Sequence, residues 1–98
     1  MIIEFSTNRL TAASVSILKA NKFLGAILGR KYIQRLAILR AMDKFSQLYG
    51  LRALGLRPMK GDRSGQYSIT LTGNYRLIIE KVEEDQVRIL DVEDYHGN

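Results

Sequence analysis

The sequence contains no cysteine and a single histidine, His96, among its 98 residues. Without cysteine the chain cannot form a disulfide framework or a thiolate metal site, and one histidine cannot build a His-rich metal cage. A hydrophobic fraction of 46% and a charged fraction of 26% are ordinary for a folded protein. Because domains usually run to ~100–150 residues, residues 1–98 are expected to form a single domain with a small core.

Acidic residues are scarce in the first 60 positions, where 11 Lys and Arg accompany only Glu4 and Asp43, a net charge of +9. From Gly61 onward, 4 basic and 8 acidic residues give a net charge of −4. An uneven basic field favours a polyanionic partner such as nucleic acid. The alternative is a solvated basic helix face, and charge alone does not separate the two.

Long apolar runs and a basic leader are also lacking. The apolar stretch at residues 23–29 is far shorter than the ~20 residues needed to cross a bilayer. Residues 1–5 have no basic leader and indicate a short strand rather than a secretory signal. We therefore expect a soluble cytoplasmic protein with no membrane partner.

The spacing of apolar residues predicts an α+β protein with a short N-terminal strand and two helices. Ser6, Thr7 and Asn8 are candidate N-caps for a first helix that ends near Gly25 or Gly29. A second helix is predicted over residues 38–49, with Gly50 as its stop signal. Residues 51–58 are expected to form a loop.

The remainder of the sequence predicts three strands in an antiparallel meander packed on the helices. Alternation marks residues 67–72, 75–82 and 87–95, joined by a two-residue turn at Gly73-Asn74 and by a turn at residues 83–86. Strict alternation in the last strand places Leu90, Val92, Asp94 and His96 on one face. Ile89, Asp91, Glu93 and Tyr95 then share the other face. A twist, bulge or frayed end would be needed to bring Asp94, Tyr95 and His96 together.

Three clusters of polar residues are candidate sites. Lys60 and Arg63 lie in a glycine-containing segment before a strand, where an anion could approach flexible backbone, although a plain basic turn has the same composition. Arg76 follows a turn inside an apolar strand and needs a partner, which could be Glu80, Glu83 or a phosphate. Asp94, Tyr95 and His96 are consecutive near the last residue, where a histidine is often merely solvated.

Together these clusters provide the groups needed for RNA cleavage without a metal. That reaction requires a base for the ribose 2′-OH, cations around the phosphate and an acid for the leaving 5′-oxygen. Histidine suits proton transfer near neutral pH. Lys60, Arg63 and Arg76 could supply positive charge, and Tyr67, Tyr75 and Tyr95 could stack on an unpaired base.

Three ordered blocks resemble the HigB branch of the RelE/ParE toxin superfamily. They are LRPMKGDRSGQYSIT at residues 56–70, NYRL at residues 74–77 and EDYH at residues 93–96. The family pattern has histidine where this chain has Arg57, which stays protonated and cannot act as a general base at neutral pH.

The resemblance implies a RelE-like fold and the toxin of a type II toxin–antitoxin system, an endoribonuclease that cuts mRNA in the ribosomal A site. It implies no metal or cofactor. The implied partners are mRNA, the rRNA of the bacterial ribosome and a HigA-like helix-turn-helix antitoxin that binds operator DNA with the toxin. The basic N-terminal portion suits docking on ribosomal RNA.

Residue roles follow from the same resemblance. His96 becomes a proton-transfer residue with Asp94 as its orienter or as the base, and Tyr95 packs on the substrate or aids proton transfer. Lys60 and Arg76 neutralise the scissile phosphate. The RNA-binding residues are Arg57, Arg63 and Tyr67, with Arg57 as an extra phosphate clamp.

Two other functions fit a similar fold. One is a ParE-like gyrase inhibitor that acts by binding, and the other is a catalytically inactive interaction module. The block around Lys60 and the terminal EDYH sequence favour the nuclease.

Overall fold

The computed structural model describes residues 1–95 and has the expected α+β composition. Three α-helices and two 3-10 segments lie between the first and second of five strands. The strands are β1 (Ile2–Phe5), β2 (Arg57–Pro58), β3 (Gln66–Thr70), β4 (Tyr75–Glu83) and β5 (Gln86–Asp94). The helices are α1 (Asn8–Ala13), α2 (Ile17–Leu24) and α3 (Ala26–Ala41), and the 3-10 segments are Phe45–Gly50 and Arg52–Leu54. No helix among residues 1–95 is long and apolar enough to span a membrane.

The five strands form one sheet in the order β1-β5-β4-β3-β2. The predicted meander of β3, β4 and β5 is confirmed, since these neighbours pair antiparallel. Two features of the sheet were not predicted. β1 pairs parallel with β5, and Arg57–Pro58, expected in a loop, forms β2 against β3. β1 and β5 are far apart in sequence, and β2 has only two residues, too few to show alternation.

The helices cover one face of the sheet, and no α-helix among residues 1–95 lies on the other, the open face. Buried side chains of α3 meet the inward residues of β4 and β5 in the core, formed largely by Tyr32, Leu36, Leu39, Leu77, Ile79, Val87 and Ile89. The Tyr32 hydroxyl donates a hydrogen bond to the Leu10 carbonyl (2.8 Å) and so ties α3 to α1. Burial raises the pKa of Tyr32, so this phenol stays protonated as a donor.

The helical layer differs from the prediction of two helices. The first predicted helix is interrupted before Ile17, because Ser16 is extended and its hydroxyl caps α2 by accepting from the Lys19 N–H (3.2 Å). Gly25 ends α2 as expected. Gly29, the other expected end, instead lies inside α3, where a Cβ would lie 2.5 Å from Asn21 Oδ1. This glycine therefore permits close packing of α3 on α2.

The prediction of one continuous helix over residues 38–49 is wrong. α3 ends at Ala41, and Met42 is extended. The Phe45 N–H donates to the Glu84 carbonyl (2.6 Å), and Gln47 Oε1 accepts from the Asp43 and Lys44 N–H groups (2.8 and 3.0 Å). These bonds replace the intrahelical bonds that would continue α3.

The β3–β4 connection is also longer than the predicted two-residue turn. It comprises residues 71–74, and the Thr72 hydroxyl accepts from the Asn74 and Tyr75 N–H groups (3.3 and 3.2 Å). A two-residue turn at Gly73-Asn74 would place Arg76 opposite Leu71. The observed register pairs Arg76 with Thr70, which places both side chains on the open face.

A bulge at Leu90 changes the alternation of β5. Ile79 pairs with Ile89 whereas Ile78 pairs with Asp91, so Leu90 is the extra residue. Ile89 therefore faces the helices while Asp91 and Glu93 face the open side. The prediction that Ile89 shares a face with those two acids is wrong for this reason.

Candidate functional site

An open cleft of about 330 Å³ lies on the open face of the sheet, at the β2 edge. It is lined by Arg57, Pro58, Met59, Lys60, Arg63, Ser68, Arg76 and Tyr95. The sheet register explains this grouping, because Arg57 is paired with Ser68 on β3 and Arg76 with Glu93 on β5. Five of the residues singled out in the sequence thus share one site: Arg57, Lys60, Arg63, Arg76 and Tyr95.

Arg76 is held by neutral oxygen atoms. Its Nε donates to the Ser68 hydroxyl (2.7 Å), and Nη1 donates to the Thr70 hydroxyl (3.0 Å). Nη2 donates to the carbonyls of Gly55 and Ser68. Since a guanidinium has five N–H donors, these four bonds fix its orientation and leave one donor on Nη1.

Gly55 allows its backbone to approach this guanidinium. Its φ of +53° lies in the left-handed region, and a Cβ would lie 2.9 Å from the Thr70 hydroxyl. A larger side chain would strain the backbone and press on the hydroxyl that holds Arg76. The position therefore suits glycine on both counts.

Arg63 has a different environment, because it is paired with an acid. Its Nη1 and Nη2 donate to the two carboxylate oxygens of Glu93 (3.3 and 2.8 Å), and its Nε donates to Gln66 Oε1 (3.1 Å). The hydrogen bonds that Arg63 donates to Glu93 raise the pKa of Arg63. The segment that carries Lys60 is thereby attached to β5.

The remaining cations of the cleft differ from Arg63 in their ionic partners. Within residues 1–95, no carboxylate forms an ion pair with Arg57, Lys60 or Arg76. Burial lowers the pKa of Arg76, and the neighbouring positive charge of Arg57 lowers it further. The guanidinium still stays protonated at neutral pH. Such a cleft is chemically suited to an anion with several oxygen atoms, such as a phosphate.

The carboxylates considered as partners of Arg76 are not bonded to it. Glu80 pairs with Arg88 (2.9 Å), which also pairs with Glu4 (2.9 Å) farther along the same face. Glu83 lies at the opposite end of β4. The partners are instead Ser68 and Thr70, which depend on the hairpin register, and Gly55, which follows the second 3-10 segment. Sequence reasoning missed all three. The polar alternation of β3 was the available signal for the two hydroxyls.

Tyr95 lines the cleft immediately after β5. Its hydroxyl contacts Met59 Sδ at 3.5 Å, and its backbone N–H donates to the Asn74 carbonyl. Tyr95 therefore connects the Met59 segment (residues 59–65) with the β3–β4 connection, and its side chain lies beside the cations. An aromatic ring at this point can stack on a base whose phosphate enters the cleft.

Three residues from the sequence predictions, Tyr67, Tyr75 and Asp94, are not among the described residues that line the cleft. The Tyr67 ring packs on Phe45 with ring centroids 4.8 Å apart, and Tyr75 packs against the core on the helix side. Asp94 pairs with Tyr75 in the β4–β5 register and so shares that side of the strand. His96 lies outside the described residues.

No group of three or more His, Asp or Glu side chains that could hold a metal ion occurs in the described part of the chain. The polar groups of the cleft are mainly donors, which suit an anion better than a cation.

Sequence comparison gives one curated relative. The endoribonuclease HigB of Proteus vulgaris is 38% identical over 60 residues, which are 59% of this chain and 64% of that protein. The chain therefore spans just under two thirds of the length of this relative. No family model matches the sequence.

Solved toxin structures share the fold. The YoeB–YefM complex from Staphylococcus aureus matches with a TM-score of 0.64 and 17% identity, over 95% of this chain and 94% of that one. A YoeB/ParE toxin from Agrobacterium tumefaciens matches with a TM-score of 0.58 and 13% identity, over 96% and 98%. The predicted RelE-like fold is confirmed, as is the sequence similarity to HigB.

Proposed function

We propose that this chain is a HigB-like toxin of a type II toxin–antitoxin system, a single-domain cytoplasmic endoribonuclease that cuts mRNA in the ribosomal A site. The observation that carries the proposal is the cleft in which Arg57, Lys60 and Arg76 lie together without a carboxylate partner within residues 1–95. The endoribonuclease named among its relatives supports the same reaction.

The proposed reaction is attack of a ribose 2′-oxygen on the adjacent phosphorus. The 2′-O–P bond forms while the P–O5′ bond breaks, so a base takes the 2′-OH proton and an acid protonates the leaving 5′-oxygen. Arg76 and Lys60 neutralise the negative charge on the phosphate in the transition state. Arg57 is an additional phosphate clamp, whereas Arg63 is already paired with Glu93 and contributes less net charge.

The proton-transfer groups are proposed from the last residues of the chain. Arg57 stays protonated, so it cannot replace the histidine of the family pattern as a base. We assign proton transfer to His96, with Asp94 as its orienter or as the base. Tyr95 stacks on the substrate, and we prefer it to Tyr67 because it lines the cleft.

The proposed macromolecular partners follow from charge and from the comparisons. The acid-poor helical layer provides phosphate contacts to ribosomal RNA, with salt-sensitive affinity. The related YoeB structure is a complex with YefM, and we propose that this chain likewise binds a protein antitoxin, of the HigA-like helix-turn-helix type. Operator DNA would then be bound through that antitoxin.

Primer extension on a defined mRNA in a purified bacterial translation system tests the function. The wild-type chain is expected to create new 5′ ends within the A-site codon only when ribosomes are present. Arg76→Ala is expected to slow cleavage by about 10²–10³-fold, the usual effect of removing one preorganised transition-state donor. Arg88→Ala is the matched control, since this arginine lies on the same sheet face between Glu4 and Glu80.

Intact mRNA in the presence of folded wild-type protein would refute the nuclease assignment. Inhibition of purified DNA gyrase under those conditions would instead support a ParE-like activity. Inhibition of neither target would support the inactive interaction module. Equal cleavage by the wild type and the Arg76→Ala variant would contradict the proposed role of the cleft.

A further inference from the structure

Glu93 is the carboxylate directly opposite Arg76 in the sheet, yet the two do not form an ion pair. Arg76 and Glu93 are directly opposite each other in the β4–β5 register. Side chains in such pairs have Cβ atoms about 4.5–5.5 Å apart and point to the same face. An arginine and a glutamate in this arrangement can reach each other, and their pairing is the expected outcome.

Arg63 engages that carboxylate instead. Both oxygens of Glu93 accept from the Arg63 guanidinium, and Gln66 fixes the remaining Nε of the same group. Arg76 points to the other side, toward Ser68, Thr70 and Gly55. Arg76 on β4 and Arg63 in the segment before β3 therefore have different partners, and of the two only Arg63 has an acidic partner among residues 1–95.

We propose that Arg63 is a positioning residue that keeps Glu93 away from Arg76 and so preserves the charge that receives the RNA phosphate. This role rests on the proposed nuclease function for the identity of the anion. A phosphate approaching an Arg76–Glu93 pair would have to displace a charge-assisted hydrogen bond and would meet the repulsion of the carboxylate. With Glu93 bound to Arg63, the phosphate meets a guanidinium that is already oriented and has a donor left.

A double-mutant cycle with Arg63→Ala and Glu93→Gln tests the proposal in the mRNA cleavage assay. Arg63→Ala releases the carboxylate and is expected to slow cleavage by about tenfold to a hundredfold. Glu93→Gln is expected to stay within a few-fold of wild type. The double variant is expected to recover most of the activity although Arg63 is still absent.

Recovery in the double variant separates this role from two others. If Arg63 bound RNA itself, or only held the Met59 segment by its ion pair, the double variant would remain as slow as Arg63→Ala, and the proposal would be overturned. Full activity of Arg63→Ala would overturn it as well. Thermal unfolding of each variant checks the fold, and Arg63→Gln replaces the alanine variant if that one is unfolded.

A ribosome-free measurement keeps this result independent of the proposed nuclease function. Inorganic phosphate is titrated into each ¹⁵N-labelled variant while the Arg76 Nε–H resonance is followed by NMR. Phosphate affinity is expected to fall in Arg63→Ala and to return in the double variant, with Arg88→Ala unchanged. Equal affinity in all variants would refute the positioning role, whether or not the wild type cuts mRNA.

Discussion

Arg76 shows how a single residue can be held firmly and still keep its charge. Its hydrogen bonds go to two hydroxyls and two carbonyls, so its orientation is fixed by groups that carry no net charge. A carboxylate would hold it as firmly but would neutralise it. Preorganised positive charge of this kind is what a phosphoryl transition state requires.

Thr70→Val tests this arrangement at the level of one atom. Valine keeps the shape of threonine but removes the hydroxyl that accepts from Arg76 Nη1. We expect about tenfold slower mRNA cleavage in single-turnover measurements, because a hydrogen bond to a charged group is lost. Thr70→Ser should retain most of the activity.

The control for this prediction is Ser64→Ala, which removes an exposed hydroxyl from the nearby Met59 segment. It should cut mRNA at the wild-type rate. Wild-type cleavage by Thr70→Val would show that the other bonds of Arg76 suffice to position it.

At the scale of elements, the contact between α2 and α3 depends on Gly29. A Cβ at this position would lie 2.7 Å from the Ala20 backbone as well as close to the Asn21 side chain. Backbone atoms cannot move aside as a flexible side chain can, so the two helices would have to separate. The helical layer is therefore closely packed at this point.

Gly29→Ala is expected to lower the free energy of unfolding by about 1–3 kcal/mol, the usual effect of overpacking, despite the better helix propensity of alanine. Urea unfolding measures the change. Gly50→Ala is the matched control, because its added methyl group would meet nothing within 4 Å. Equal stability of the two variants would contradict close packing at Gly29.

The sequence predicts local elements better than the contacts between them. Alternation located β3, β4 and β5, and Gly25 marked the end of α2. The helical spacing that continues to Phe45 gave a wrong prediction. The Phe45 N–H donates to the distant Glu84 carbonyl, and the chain leaves the helical path there. Periodicity within one segment does not reveal contacts with residues of another segment.

The same distinction applies to the site. The sequence identified the cations and Tyr95 as candidate site residues, and the fold brings them to one cleft. The sequence did not show that Glu93, Ser68 and Thr70 contact these cations. Those contacts depend on the four-residue β3–β4 connection and on the bulge in β5. A change of one residue in the hairpin register would have placed Leu71 opposite Arg76.

For the whole molecule, the distribution of charge is more informative than the net value of +5. Residues 5–42, which include all three α-helices, contain seven Lys and Arg and no acid. Acids gather instead at the β4–β5 turn, at the opposite end of β4 from the cleft. A large polyanion is therefore attracted to the helical layer and the cleft and repelled at that turn.

Salt dependence of ribosome binding tests this view. Arg30→Ala removes an exposed cation of α3 and should make the slope of log affinity against log salt concentration shallower by about 1, the effect of one phosphate contact. Lys81→Ala is the control of equal charge, because this lysine is already paired with Glu84. Identical slopes for both variants would exclude Arg30 from the interface.

The bulge at Leu90 has a consequence for which residues reach the cleft. In a regular strand Asp91 would turn into the core and Val92 would turn out to solvent, whereas with the bulge Val92 packs on the core and Asp91 is exposed. Burying the carboxylate and exposing the valine is unfavourable. These two side chains therefore determine which face of the sheet each later residue of β5 points to. Glu93 and Tyr95 occupy the open side because of a valine that never touches the cleft. The residues that reach the cleft are thus decided in part by a core position outside it.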